Sequence, residues 1–330
     1  MAQFDLPLSD LREYSPEIQE APDFDDFWSA TLALDPPVTS TEELIDSRMT
    51  LIDVRDLTFT GFGGAPIKAW LRTPAGAREA LPTVVRYIGY SGSRGMPTDA
   101  RYVLAGCAEL VLDSRGQGWW GETLFDGSPD AHPDAGAYGT QALAAKGIAH
   151  RDTYYYRRLA TDAVRLLQVA AAHPLIDGDQ MFVAGSSQGG YLSLVAAGLA
   201  PSVGISLAGA MVDLPFMCHI RRAINLTDRE PFSQIAGFIR SAPHLEGAVH
   251  ATVSAFDGAC FARRAKCPAL FSVGLADTVC PPSTVFAAFN AYGSADKAID
   301  VQPHTSHDHP TDGRLWKHLE WMNGRLASRG

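Results

Sequence analysis

The 330-residue sequence has no apolar run approaching the roughly 18 to 20 residues needed to cross a bilayer. Its opening, MAQFDLPLSD, carries neither a basic stretch nor an apolar stretch of a secretory leader. Together these point to a cytoplasmic chain that does not engage a membrane. Positive charge is also short: 27 Lys and Arg stand against 37 Asp and Glu, a formal net charge of -10. A surface of that sign repels phosphate, so nucleic acid is excluded as the expected partner. Cysteine is scarce and odd in number, and Cys107, Cys218, Cys260, Cys267 and Cys280 form no C-x-x-C pair or zinc-ligand spacing. They read as reduced structural thiols, with no metal and no cofactor implied. Repeats, low-complexity runs and linkers are absent too, which leaves one domain over residues 1–330 as the expectation.

What the chain does have is alternation. Residues 1–50 read as an N-terminal arm followed by a helix near Phe24 to Leu34, whose Phe24, Phe27, Trp28 and Leu32 fall at helical spacing. From residue 51 a hairpin turns at Gly61-Phe62-Gly63-Gly64. Then come a strand at TVVRYIGY, a helix near Ala100 to Gly106, a strand at AELVLDSRG and a helix at Tyr154 to Ala172. The strand MFVAG, a helix after Ser187, the strand GISLAGA and a helical insertion over 215–265 follow. The chain closes with the strand ALFSVGLAD, the helix STVFAAFNAY, a strand at AIDVQP and a last helix at GRLWKHLEWMNGRLA. Strands alternating with helices in this manner predict an α/β fold, a mostly parallel central sheet covered on both faces. The stretch 118–150 lacks periodicity yet begins with Trp119 and Trp120, and reads as an ordered loop beside a site.

The chemical signal is GSSQG at 185–189. A serine between glycines at a strand-to-helix turn is lifted off the sheet, and the glycines let strand and helix approach without Cβ clashes. Ser187 is therefore the candidate nucleophile, with Ser186 at the neighbouring x position. A plain strand-to-helix junction would carry the same pattern without chemistry. An alkyl hydroxyl requires a base and an orienting acid, here in the chain order Ser, Asp, His. Asp277, at the end of ALFSVGLAD, suits the acid, and HTSHDHP offers His304, His307 and His309 for the base without choosing among them. The tetrahedral oxyanion needs two backbone donors. The residue after the nucleophile, Gln188, supplies one, and the Tyr90-Ser91-Gly92 turn after TVVRYIGY suits the other.

These residues resemble carbohydrate esterase family 7, the acetyl xylan esterases and cephalosporin C deacetylases of the α/β-hydrolase fold. The resemblance runs nearly end to end. It is carried by FDLPLSDLREY, PDFDDFW, GYSG, RGQG at 115–118, KGI at 146–148, DTYYYRR at 152–158, GSSQGG at 185–190, GLADTVCPPSTVFAAFN at 274–290 and the terminal His-acid pair. It implies Ser187 as nucleophile, Asp277 as acid and His307 as base, since His307-Asp308 occupies the place of the family's usual His-Glu. It also implies Tyr90 and Gln188 as backbone oxyanion donors, with Arg115 and Gln117 as structural supports beside the nucleophile. Trp119 and Trp120 become candidates for a substrate wall, or merely for packing of their loop. The activity implied is cofactor-free removal of acetyl groups from acetylated oligosaccharides and cephalosporin C through an acetyl-serine. The rivals are a broader carboxylesterase or peptidase of the same fold, and a non-catalytic scaffold with a broken triad. Relatives of this kind form hexamers, so a homo-hexamer is expected, with the N-terminal arm available for a subunit contact.

Overall fold

The protein is described by a computed structural model covering residues 3–34, 36–119, 124–131, 142–308 and 311–327. Nine strands form one sheet: β1 Ser40–Ile45, β2 Ile52–Thr60, β3 Pro66–Pro74, β4 Leu81–Tyr87, β5 Ala108–Leu112, β6 Ile176–Ser186, β7 Gly209–Asp213, β8 Ala269–Gly274 and β9 Lys297–Gln302. Their spatial order is β1-β2-β3-β5-β4-β6-β7-β8-β9. The first three pairings (β1 with β2, β2 with β3, β3 with β5) are antiparallel, and every later one is parallel. The helices are α1 Leu8–Glu13, α2 Phe24–Ala33, α3 Tyr155–Ala172, α4 Gln188–Leu199, α5 Ile220–Leu226, α6 Phe232–Ser241, α7 Glu246–Val253, α8 Gly258–Arg264, α9 Pro282–Ala291 and α10 Thr311–Ala327.

Side-chain alternation along the central strands builds a core on each face. In β4, Val85 and Tyr87 join the large cluster that holds Leu159 and Val164 of α3 and Leu192 and Val195 of α4. Their neighbour Val84 points the other way, with Phe182, Ala184 and Met211, onto Met322 of α10. Both faces are thus buried, which is why these strands read as continuous apolar runs.

Three expectations differ from the structure. The segment 100–106 is not a helix: it makes only a 3-10 turn over Val103–Ala105, ended by Gly106 at φ 89°. The strand expected at 204–210 begins instead at Gly209, where a Cβ would lie 2.5 Å from the Trp321 ring. Within residues 1–50 there is a strand, β1, at the sheet edge, besides the arm and helix. The arm itself packs on its own chain: Asp5 accepts from the backbone N–H of Ser283 at the head of α9 (2.7 Å) and from Arg222 (2.8 Å).

Candidate active site

The parallel arrangement delivers three strand ends, those of β6, β8 and β9, to one edge of the sheet. At the end of β6 the chain reverses into α4 through Ser187, which sits at φ 58°, ψ -118°. A non-glycine residue is strained there. The turn is held by Ser187 N–H donating to the Asp213 carbonyl (2.9 Å) and by Phe216 N–H donating to the Ser187 carbonyl (3.0 Å). Its tightness explains the glycines. A Cβ on Gly185 would stand 2.4 Å from the Gly189 carbonyl carbon, and one on Gly189 only 2.2 Å from the Tyr87 carbonyl oxygen. Ser186, at the x position, points to solvent, whereas Ser187 is half-buried.

Asp277 follows β8 and is fully buried. One carboxylate oxygen accepts the backbone N–H groups of Val279 (2.8 Å) and Cys280 (2.9 Å), and the other lies 2.8 Å from His307 Nδ1. His307 stands on the loop after β9, its side chain 26% exposed. Gly274 lets that loop close, because a Cβ there would come within 2.4 Å of the Thr305 carbonyl. Of the three candidate histidines, His307 is the one beside Asp277; His304 is exposed, and His309 lies outside the described residues. Among the described residues no hydrogen bond joins the Ser187 hydroxyl to His307; the Cys280 thiol lies within 4.8 Å of the Asp277 and His307 ligand atoms. Catalytic hydrogen bonds of this kind are often long before substrate arrives. Cys280 was assigned by sequence to the structural thiols. Burial, reinforced by the Asp277 charge, pushes that thiol well above its usual range. Its position three residues after Asp277, in the same turn, was the only signal of its place here.

The two candidate oxyanion donors are tied together by one side chain. Gln188 opens α4, so its backbone N–H has no partner earlier in the helix. Gln117 accepts the Ser91 N–H (2.7 Å), next to Tyr90, and donates to the Gln188 side chain (2.9 Å) and to the Tyr155 hydroxyl (2.8 Å). Tyr155 in turn donates to the Arg115 carbonyl (2.6 Å). Arg115 is buried and forked onto Asp162, at 2.5 and 2.7 Å. Among the described residues no hydrogen bond joins Arg115 or Gln117 to Asp277 or His307; they brace the turns that carry Tyr90 and Gln188.

Over these turns sits the insertion. The Tyr90 hydroxyl donates to Gln234 of α6 (2.8 Å) and accepts the Leu143 N–H (2.9 Å), and Gln234 also accepts the Ala144 N–H (3.1 Å). Gln234 had no motif to mark it in the sequence. The Tyr90 ring meets Trp119 edge-on, centroids 5.6 Å apart. Trp119 is half-buried against the main core, while Trp120 lies outside the described residues.

A family model described as acetyl xylan esterase (AXE1) matches residues 1–324. Among solved structures, the acetyl xylan esterase from Paenibacillus sp. R4 superposes with a TM-score of 0.85 at 32% identity, covering 96% of this chain and 99% of that one. Acetyl xylan esterase 1 from Thermoanaerobacterium sp. gives a TM-score of 0.83 at 32% identity, with the same coverage. The acetyl esterase Axe7A of Xylanibacter ruminicola is 31% identical over 171 residues, which span 49% of this chain and only 35% of that protein.

Proposed function

This chain belongs to the acetyl xylan esterase family, and from that premise we propose that it removes acetyl groups from acetylated xylo-oligosaccharides by way of an acetyl-serine. In this reading His307, oriented by Asp277, takes the proton of Ser187. Ser187 attacks the acetyl carbonyl, and the backbone N–H groups of Tyr90 and Gln188 hold the oxyanion. The sugar hydroxyl leaves with the proton from His307, and water, deprotonated by the same ring, releases acetate. The observation that carries the reading is the 2.8 Å contact between His307 Nδ1 and the buried Asp277, on the same sheet edge as the strained Ser187 turn.

Cephalosporin C belongs to the same proposal, because the reacting group is again a small acetyl ester. Tyr90, Trp119 and the α6 roof favour a short acyl chain. A hexamer is proposed from the family resemblance, and a monomer by light scattering would remove it. Five buried free thiols suit a reducing, cytoplasmic compartment.

The deciding assay compares the parent with Ser187→Ala on p-nitrophenyl acetate, butyrate and octanoate, alongside acetylated xylo-oligosaccharide and cephalosporin C. Serine-dependent acetate release that falls steeply with acyl length is expected. Turnover of octanoate with none of the acetylated sugar would replace this reading with a broader carboxylesterase of the same fold, and full activity of Ser187→Ala would overturn the nucleophile.

A further inference from the structure

We propose that Asp277, Cys280 and His307 together form a binding site for a thiophilic divalent cation of the zinc class, and that its occupation switches the esterase off. The ligand atoms of these three side chains all lie within 4.8 Å of one another, the one such group of three among the described residues. Asp277 and Cys280 are fully buried, and His307 reaches solvent, so the imidazole side is the way in. One sulfur, one nitrogen and one carboxylate oxygen make a donor set that zinc accepts and that calcium and magnesium, which take oxygen ligands, do not.

Ligands around a tetrahedral zinc are roughly 3.5 Å apart, as bonds of about 2.0 to 2.3 Å require. The group is not yet at that spacing, since His307 Nδ1 and the Asp277 oxygen stand only 2.8 Å apart, and His307, on its partly exposed loop, is the member placed to move. Cation binding replaces the Cys280 thiol proton, which leaves to solvent. His307 binds through Nδ1, the nitrogen facing Asp277, and its proton shifts to Nε2. A ring protonated at Nε2 and metallated at Nδ1 has no lone pair with which to accept the Ser187 proton. Inhibition follows from the tautomer, without any block of the substrate cleft.

The inhibitory half rests on the triad reading above; the binding half does not. The test titrates the full chain, first stripped with EDTA, with Co2+ while recording the near-ultraviolet sulfur-to-cobalt charge-transfer absorption. In parallel, p-nitrophenyl acetate hydrolysis is followed with Zn2+ and with Mg2+. A cobalt–thiolate band, Zn2+ inhibition reversed by EDTA and indifference to Mg2+ are expected. Cys280→Ala should lose the band and, measured against its own metal-free rate, shift the Zn2+ midpoint upward by at least about tenfold. Cys280→Ser, closer in size, serves if the alanine variant fails to fold. No band in the parent, or an unchanged Zn2+ midpoint in the variant, overturns the site. A band without any ester hydrolysis would instead overturn the function proposed above and leave the cation site standing.

Discussion

The Tyr90 hydroxyl and the Gln234 side chain meet at 2.8 Å across 144 positions of sequence, joining the turn after β4 to the α6 roof. Tyr90→Phe removes that bond and strips the buried Leu143 N–H of its partner. Leaving such a donor unpaired costs about 1–3 kcal/mol. Because the same turn carries the proposed Tyr90 oxyanion donor, kcat on p-nitrophenyl acetate should fall while KM changes little. A variant with the parent's kcat and merely a lower melting temperature would reduce the contact to a packing detail.

Asp277→Asn should keep the fold and lose the rate. Its Oδ1 accepts two backbone N–H groups, so the side-chain carbonyl stays there and the amide N–H2 is turned toward His307 Nδ1. The ring must then carry its proton on Nε2, the wrong tautomer for a base. In serine hydrolases the equivalent change lowers kcat by about 10⁴. Steady-state kinetics together with thermal unfolding separates this outcome from simple destabilisation.

The parts of this molecule that were legible in the sequence are those dictated by short-range rules. The Ser187 turn announces itself because Gly185 and Gly189 have no room for a Cβ, and the central strands because burial on both faces makes them uniformly apolar. β1 was illegible for the opposite reason: STEELI is exposed almost throughout, so no alternation records its pairing with β2. In 204–208 the apolar residues Ile205, Leu207 and Ala208 are buried in a connection, which made the strand seem to start early. Gln234 and Cys280 could not be placed by local pattern, since their positions depend on where α6 and the loop after β8 come to rest. The choice of His307 among three histidines came from family resemblance, and its physical ground, the contact with Asp277, is tertiary.

Two glycines of similar appearance in sequence should respond in opposite directions. Gly189→Ala places a methyl 2.2 Å from the Tyr87 carbonyl oxygen, backbone against backbone, so nothing nearby can swing aside. Overpacking of this kind costs typically about 1–3 kcal/mol or more, and lost activity should accompany the lower melting temperature. Gly324, exposed inside α10, has open space around its would-be Cβ. Gly324→Ala should raise stability by roughly 0.8–1.0 kcal/mol through helix propensity alone, with unchanged kinetics. Denaturant unfolding of both variants checks the pair.

The start of the insertion contains two titrations that oppose each other. Asp257, buried at the head of α8, accepts the backbone N–H groups of His219 (3.0 Å), Ile220 (2.9 Å) and Ala259 (3.0 Å). Desolvation outweighs those bonds and raises its carboxyl to about 6. The unfolded carboxyl titrates near 3.9, so between about pH 4 and pH 6 the folded chain binds more protons, and this group makes stability fall as pH rises. His219 behaves oppositely: burial, and then the Arg222 charge, lower its imidazole to about 4. Its unfolded value is near 6.5, so across nearly the same window the unfolded chain binds more protons and stability rises with pH. The two slopes offset each other in the parent. In Asp257→Asn the opposing Asp257 slope is removed, so that stability should rise more steeply with pH between about 4 and 6 than in the parent. In His219→Gln the opposing His219 slope is removed, so that stability should rise less, or fall, with pH between about 4 and 6 relative to the parent. Urea unfolding at pH 4, 5, 6 and 7 reads both, and parallel profiles for the two variants would mean that neither group titrates as its surroundings require.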